Sequence, residues 1–169
     1  GDVYKRQSVF PALVGKMLPL VVMMLLMTLM MFLILFKIVG VPLNGSLTAL
    51  LFGCMLFVLA YMAIGVLIVT LLSNLRLSLS IGGGYSVLAF TFSGLTFPMM
   101  AMYPWVQAFS KIFPFTFYTD IFIDQALRGA PVVDSLWDMG YIALFIVLPM
   151  LCLPRLRKIC SDEKYWGRM

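Results

Sequence analysis

Four long runs without a charged residue dominate the pattern of apolar and polar positions along this chain of 169 residues. The runs cover residues 17–36, 38–75, 77–110 and 139–154. A helix of about 20 apolar residues crosses a hydrocarbon core roughly 30 Å thick. The pattern therefore predicts an all-α, polytopic membrane protein with four transmembrane helices. We place these spans at about residues 17–38, 47–72, 77–98 and 135–154.

The segment between the third and fourth spans has a different pattern. Residues 99–130 hold two short amphipathic stretches separated by Pro114, and Gly129 follows the second stretch. Broken backbone at membrane depth is tolerated only where protein or a water-filled cavity satisfies its polar groups. We therefore expect an outer re-entrant helical hairpin over residues 99–130. Such an element is a candidate gate of a transport path.

Individual residues predict the local structure of this hairpin. Pro104 suits the first turn of a helix, where its missing N–H has no partner to lose. Pro114 breaks that helix, and Gly129 can end the next helix in a left-handed cap. Trp105 and Phe109 share an apolar face, as in an interfacial amphipathic helix. The candidate outer gate comprises ten residues: Pro98, Pro104, Trp105, Phe109, Phe113, Pro114, Phe117, Asp120, Asp124 and Arg128.

The charged members of this set recur at four-residue spacing, as Asp120, Asp124 and Arg128. Acidic residues inside a membrane are functional candidates by default. Asp124 and Arg128 can instead form a helical ion pair near the surface, worth about 0.2–0.5 kcal/mol. We favour the ion pair, because nothing in the sequence places these carboxylates at the centre of a bilayer.

Small residues recur every four positions in the third predicted span, at Ser78, Gly82 and Ser86. Small side chains at this spacing let two helix backbones approach closely. The pattern predicts a helix-packing seam without naming its partner. Packing inside the subunit and a dimer contact that lines a central path both remain open.

Basic residues are distributed unequally between the two sides of the predicted spans. Nine lie on one side: Lys5, Arg6, Lys16, Arg76, Arg155, Arg157, Lys158, Lys164 and Arg168. Three lie on the other: Lys37, Lys111 and Arg128. Cytoplasmic loops carry the excess of Lys and Arg. Both termini of this multi-pass chain are therefore predicted to lie in the cytoplasm, at a cell (inner) membrane.

The composition supports a membrane protein, since 63% of residues are hydrophobic and 11% are charged, far from the averages of soluble domains. The net charge of +5 reflects topology, because no basic cluster has a fold that would present it to a nucleic acid. Residues 1–7, GDVYKRQ, resemble a translated cloning linker. We interpret them as a non-native leader before a membrane domain at residues 8–169.

The sequence contains few residues suited to catalysis or to metal binding. It has no His, and its cysteines, Cys54, Cys152 and Cys160, form no paired ligand set. A phosphate loop of the form GxxxxGK[ST] is also absent from the sequence. We therefore predict no catalytic residue, no metal site and no cofactor bound by this chain.

In their order, these segments resemble the C-terminal half of an ABC-2-type permease, the transmembrane subunit of ATP-driven exporters. The resemblance covers about residues 8–158. It is most specific in the succession SG-x-x-FP-M…P-W-x-Q…FP-x-T-[FY], from Ser93 to Phe117. Members of this family have six spans, a cytoplasmic coupling helix before the third and a re-entrant hairpin before the sixth. The resemblance therefore implies that the four spans here are the last four.

The same resemblance implies a mechanism. A separate cytosolic ATPase would hydrolyse ATP with Mg and push on the coupling helix, of which residues 8–16 would be the remnant. The implied contact residues are Phe10, Pro11, Leu13, Gly15 and Lys16. A second permease copy or homologue would complete a path for a hydrophobic or amphipathic compound. Membrane lipid and a periplasmic adaptor are the other implied partners, and this chain would be a transport subunit rather than an enzyme.

Three other classes of membrane protein are alternatives to this one. A secondary transporter is expected to place ionisable residues near mid-membrane, and the interiors of the first three spans have none. A structural membrane subunit remains open. An intramembrane enzyme ranks last, because His is absent and Asp120 and Asp124 lie outside the predicted spans.

Overall fold

The computed structural model describes residues 9–72 and 74–150 of the chain. Within these ranges every regular element is helical, which confirms the predicted all-α class. The α-helices are α1 Val9–Leu33, α2 Leu47–Leu72, α3 Leu75–Phe92, α4 Pro104–Ser110, α5 Pro114–Phe122 and α6 Val132–Met150. Two π-helical turns, Ile34–Ile38 and Ile123–Arg128, extend α1 and α5, and a 3-10 turn, Met99–Ala101, precedes α4. The interpreted leader at 1–7 and the basic tail from Arg155 lie outside the described residues.

The first span and the predicted coupling segment form one continuous helix. α1 begins at Val9 and passes through Pro19 without ending, as transmembrane helices can when neighbouring groups satisfy the freed backbone. Pro11 lies in the first turn, where its missing N–H breaks no helical hydrogen bond. The separate helix expected at residues 8–16 is therefore, from Val9 onward, the start of α1. The π-helical turn carries the helix to Ile38, the predicted end of the span.

α2 spans Leu47–Leu72, the residues predicted for the second span. α1 runs antiparallel to it, since Phe32 packs with Leu50 near the start of α2 and Cys54 Sγ lies 3.5 Å from Thr28 Oγ1. α6 runs parallel to α2, since Met139 lies next to Gly53 and Pro149 lines a cavity together with Val66. Both ends of the described chain therefore lie at the same end of the helical bundle as Leu72.

The third predicted span is shorter than expected. α3 ends at Phe92, whereas the prediction ended at residue 98. Gly94 takes a φ of +89°, a left-handed conformation that turns the chain away and that glycine adopts without steric cost. Three segments in the described part of the chain are long and apolar enough to cross a membrane: Leu13–Ile38, Leu47–Leu72 and Val132–Pro149. α3 is not among them, because Arg76 and its serines and glycines make it less apolar.

The hairpin segment forms two short helices, as its prolines and glycine predict. Pro104 and Pro114 each lie in the first turn of a helix. Gly129 ends the π-helical turn with a φ of +67°. The N–H of Gly129 and the N–H of Ala130 both donate to the carbonyl of Asp124. The carbonyls of Ala126 and Leu127 accept hydrogen bonds from the backbone N–H and the side chain of Asn44.

The core of the molecule lies where α5 packs between α2 and α6. Its buried side chains are Ala49, Ala60, Phe117, Ile121, Met139 and Ile142. A smaller cluster joins the end of α1, the start of α2 and the second π-helical turn through Phe32, Leu50 and Ala126. The second helix of the hairpin thus supplies two of the six core side chains, Phe117 and Ile121.

Candidate functional site

The hairpin lies beside α2, and α5 runs antiparallel to it. Gln125 lies next to Ser46, and the Tyr118 ring stacks on Phe57 with centroids 4.7 Å apart. At a rise of 1.5 Å per residue, Ser46 and Phe57 are about 16 Å apart along a helix that is about 39 Å long. The connection from α4 to α5 therefore lies near the middle of α2. The chain enters the bundle along α4 and leaves it along α5.

Aromatic rings fill the contact between α3, α4 and the connection to α5. The ring of Phe109 makes edge-on contacts with Phe92, at 5.5 Å, and with Phe113, at 5.3 Å. The ring of Phe113 lies 5.0 Å from that of Tyr85, whose hydroxyl donates to the carbonyl of Ile112 at 3.3 Å. Tilted and edge-on ring pairs at these distances attract each other by about 0.5–1.5 kcal/mol. Tyr85, Phe92, Phe109 and Phe113 are the aromatic cluster that holds α4 against α3.

The structure distributes the predicted gate residues over different environments. Phe113 is 2% exposed and belongs to the aromatic cluster. Phe117 is also buried, but it lies in the core, with its ring 5.0 Å from that of a tyrosine in α6. Trp105 is 72% exposed, and Pro98 is exposed ahead of the 3-10 turn. The rings at the α3–α4 contact are therefore Phe109 and Phe113, not Trp105 or Phe117.

The charged stripe of the hairpin forms the expected ion pair. Arg128 Nη1 lies 2.9 Å from Asp124 Oδ1, and the arginine side chain is 70% exposed. An ion pair this open to solvent contributes little to stability. Burial raises the pKa of Asp120, and the charge of Asp124 raises it further, while Arg128 and Lys111 oppose the shift. Asp120 therefore holds its proton more tightly than an ordinary aspartate.

A buried amide ties the end of the hairpin to the rest of the bundle. Gln125 is fully buried. Its Oε1 accepts a hydrogen bond from the N–H of Ser46 at 3.0 Å, and its Nε2 donates to the carbonyl of Ala130 at 3.2 Å and to Ser135 Oγ at 2.9 Å. Asn44 Nδ2 donates to the carbonyl of Leu127 at 2.8 Å. We call Asn44, Ser46, Gln125 and Ser135 the polar clamp.

Two glycines let the backbones meet closely at the polar clamp. A Cβ at Gly45 would lie 2.5 Å from the carbonyl oxygen of Gln125. A Cβ at Gly129 would lie 2.9 Å from the carbonyl oxygen of Asn44. Both distances are shorter than any real Cβ contact. Sequence reasoning gave the polar clamp no role, and its signal in the sequence is weak: one amide in an apolar helix and an Asn-Gly-Ser turn before α2.

The sequence matches one family model, and this match identifies the class of the protein. The model of the ABC-2 family transporter proteins matches residues 6–152, which is most of the chain. The chain belongs to the ABC-2 transporter family. No curated protein and no solved structure matches it. The chain is thus an ABC-2-type permease, a membrane component of an ABC transporter.

At its centre, the small-residue seam of the permease meets no other helix among the residues that the structure describes. A Cβ at Gly82 would contact nothing within 4 Å in the described part of the chain. Ser78 is buried, but its Oγ donates to the carbonyl of Asn74 in the same turn of helix. Ser86 is exposed, and its Oγ donates to the carbonyl of Gly82. Of the two contacts left open for this seam, close packing inside the subunit is therefore not seen between described residues.

The predicted coupling residues of the permease lie on the first turns of α1. Pro11, Gly15 and Lys16 are exposed, while the side chain of Phe10 lies outside the described part of the structure. Leu13 lines an apolar cavity of about 330 Å³ between α1, α2 and α6. These turns lie at the end of the bundle where both ends of the described chain are found.

Proposed function

We propose that this permease couples ATP hydrolysis by a separate cytosolic ATPase to the export of a hydrophobic or amphipathic compound. The observation that carries the proposal is the family match over residues 6–152. The hairpin adds to it, because a helix pair that enters a bundle and leaves on the same side can close a path at that side. This role requires no residue that makes or breaks a covalent bond.

We further propose that α3 is a fourth span and that the hairpin is re-entrant. α3 has 18 residues, about 27 Å at 1.5 Å per residue, which is close to the thickness of a hydrocarbon core. Its Tyr85 ring lies 6.2 Å from that of Tyr61 in α2, so the two helices pass each other at mid-length. The α4–α5 connection lies at the same level, beside Tyr85.

The orientation in the membrane follows from the basic residues at the two ends of the chain. We expect those ends to face the cytoplasm and the hairpin to face outward. Met100, which is 98% exposed, and Ser161 are the two positions to label, in a variant without Cys54, Cys152 and Cys160. A membrane-impermeant thiol reagent added outside the cell should modify Met100→Cys and spare Ser161→Cys. The reverse pattern would show that the topology is inverted.

The open face at Gly82 supports a contact with a second permease copy or homologue. A leucine at Gly82 would hold two helices apart, because a bulky side chain cannot enter a seam between backbones. Gly82→Leu should therefore reduce inter-subunit crosslinking at least several-fold, whereas Gly65→Leu, at another glycine with open space around it, should not. Wild-type crosslinking of Gly82→Leu would place this face against lipid.

The ATPase is the partner on which the proposal depends. The permease, tagged and solubilised in mild detergent, should co-purify with a cytosolic protein that hydrolyses ATP with Mg. Removal of α1 residues 9–16 should lose this protein while α2–α6 still insert into the membrane. A permease that assembles fully and transports without any ATP-hydrolysing partner would contradict the proposed function.

A further inference from the structure

We propose that the hairpin consists of a fixed arm, residues 114–130, and a movable lid, residues 99–113, and that Gln125 is the positioning residue that fixes the arm. The inference deepens the proposed gate role of the hairpin and rests on it. It assigns the motion of the gate to one of the two short helices. The two short helices differ in how they are attached to the long helices of the bundle.

The arm is attached by buried contacts from Pro114 to Ala126. Ile121 is fully buried, and its Cγ2 lies 3.1 Å from the position of a Cβ at Gly53. Phe117 and Ile121 belong to the core with α2 and α6. At the far end, Gln125 bridges the loop before α2 and the first turn of α6 through Ser46 and Ser135. Moving the arm would leave a buried amide without partners, which is costly.

The lid is bonded mainly to itself. Gln107 Nε2 donates to the carbonyls of Met99 and Met102 at 2.9 and 3.0 Å, and both acceptors belong to the lid. Ser110 Oγ donates to the carbonyl of Gln107 at 2.8 Å. Pro104, Trp105 and Ala108 are exposed along α4. The lid is thus an internally tied unit that can move without breaking these bonds. One buried side-chain hydrogen bond joins it to the arm, from Thr116 Oγ1 to the carbonyl of Ser110 at 2.7 Å, and this bond must pivot or break when the lid moves.

Contacts of the lid with α3 are few and reversible. Between described residues they are the aromatic cluster and one hydrogen bond, from the hydroxyl of Tyr85 to the carbonyl of Ile112. Gly94, at a φ of +89°, lies ahead of the lid, and the break between Phe113 and Pro114 lies behind it. These two points are where backbone rotation would swing α4 away from α3.

Amide hydrogen exchange of the permease in lipid nanodiscs tests the division directly. Amides 106–112 of the lid should exchange about 100-fold faster than amides 117–126 of the arm, because local opening needs far less free energy in the lid. Equal protection of the two segments, or faster exchange in the arm, would overturn the inference. This result does not depend on an ATPase or on a transported compound.

Two matched variants test the role of Gln125. Gln125→Met keeps the volume of the side chain but removes its three hydrogen bonds, so exchange should rise in the arm and stay unchanged in the lid. Gln107→Met should raise exchange in the lid and leave exchange in the arm unchanged. Ser135→Ala removes one bond of the polar clamp and should raise arm exchange to a smaller extent, even if Gln125→Met fails to fold. Wild-type arm exchange in both clamp variants would remove Gln125 from its positioning role.

Tethering separates motion from structural support. In a variant without Cys54, Cys152 and Cys160, bridging Phe92→Cys to Phe109→Cys should lower ATP hydrolysis of the transporter complex at least several-fold. Bridging Gly53→Cys to Ile121→Cys should leave it near the unbridged level. Inhibition by the arm bridge, or no inhibition by the lid bridge, would contradict the division. If the unbridged complex hydrolyses no ATP, the proposed function is contradicted. The hydrogen exchange results then decide whether residues 99–113 move as a lid.

Discussion

Phe113→Ala is expected to make the permease leaky without lowering the amount of inserted protein. The change removes the ring contacts of Phe113 with Tyr85 and Phe109, each worth about 0.5–1.5 kcal/mol. The population with the lid open should therefore rise on the order of tenfold, since about 1.4 kcal/mol corresponds to tenfold in an equilibrium constant. The measurement is passive efflux of a fluorescent amphiphile, rhodamine 6G, from proteoliposomes that contain the permease.

Two controls give this prediction its specificity. Phe117→Ala removes a ring of similar burial from the core, so it should lower thermal stability in detergent by several degrees more than Phe113→Ala does. Arg128→Ala breaks an exposed ion pair and should change transport little, because such a pair contributes only a few tenths of a kcal/mol. Arg128→Ala or Asp124→Asn could abolish transport while Phe113→Ala causes no leak. That result would assign the functional site to the charged residues Asp120, Asp124 and Arg128 and not to the aromatic cluster.

Phe10→Asp is expected to uncouple the permease from its ATPase. A charge at this position would weaken the proposed docking contact with the ATPase, because a carboxylate that leaves water without a partner is strongly disfavoured. Substrate-stimulated ATP hydrolysis should fall at least tenfold, while basal hydrolysis by the ATPase and membrane insertion of the permease persist. The assay is phosphate release by the reconstituted complex with and without rhodamine 6G.

Phe10→Leu provides the matched control, since it keeps an apolar side chain at the same position. It should retain most of the stimulation. Full stimulation in Phe10→Asp would show that the start of α1 does not transmit the motion of the ATPase. Loss of stimulation in both variants would indicate a need for the phenyl ring itself rather than for an uncharged surface.

Local signals in the sequence predicted where the short helices between α3 and α6 begin and end. Pro104, Pro114 and Gly129 define helix starts and an end through backbone constraints that act within one turn. The bounds of α2 also follow from one uninterrupted apolar run. The end of α3 was predicted too far along the chain, because apolar character continues past Phe92 while Gly94 already turns the backbone.

Contacts between distant residues could not be predicted in the same way. Gln125 and Ser46 are 79 positions apart, so their hydrogen bond is set by how α2 and α5 pack and not by any local pattern. Phe113 and Phe117 are equally apolar and four positions apart, yet one faces α3 and the other faces α6. A helical pattern identifies which residues share a face, but the neighbouring helix decides what that face contacts.

The source of energy for transport tests the central claim most directly. The permease and its ATPase are reconstituted together in vesicles, and movement of rhodamine 6G is followed with ATP and Mg, with and without an imposed proton gradient. We predict movement that requires ATP hydrolysis and that continues when a protonophore removes the gradient. Movement that follows the proton gradient and ignores ATP would contradict the account and identify a secondary transporter.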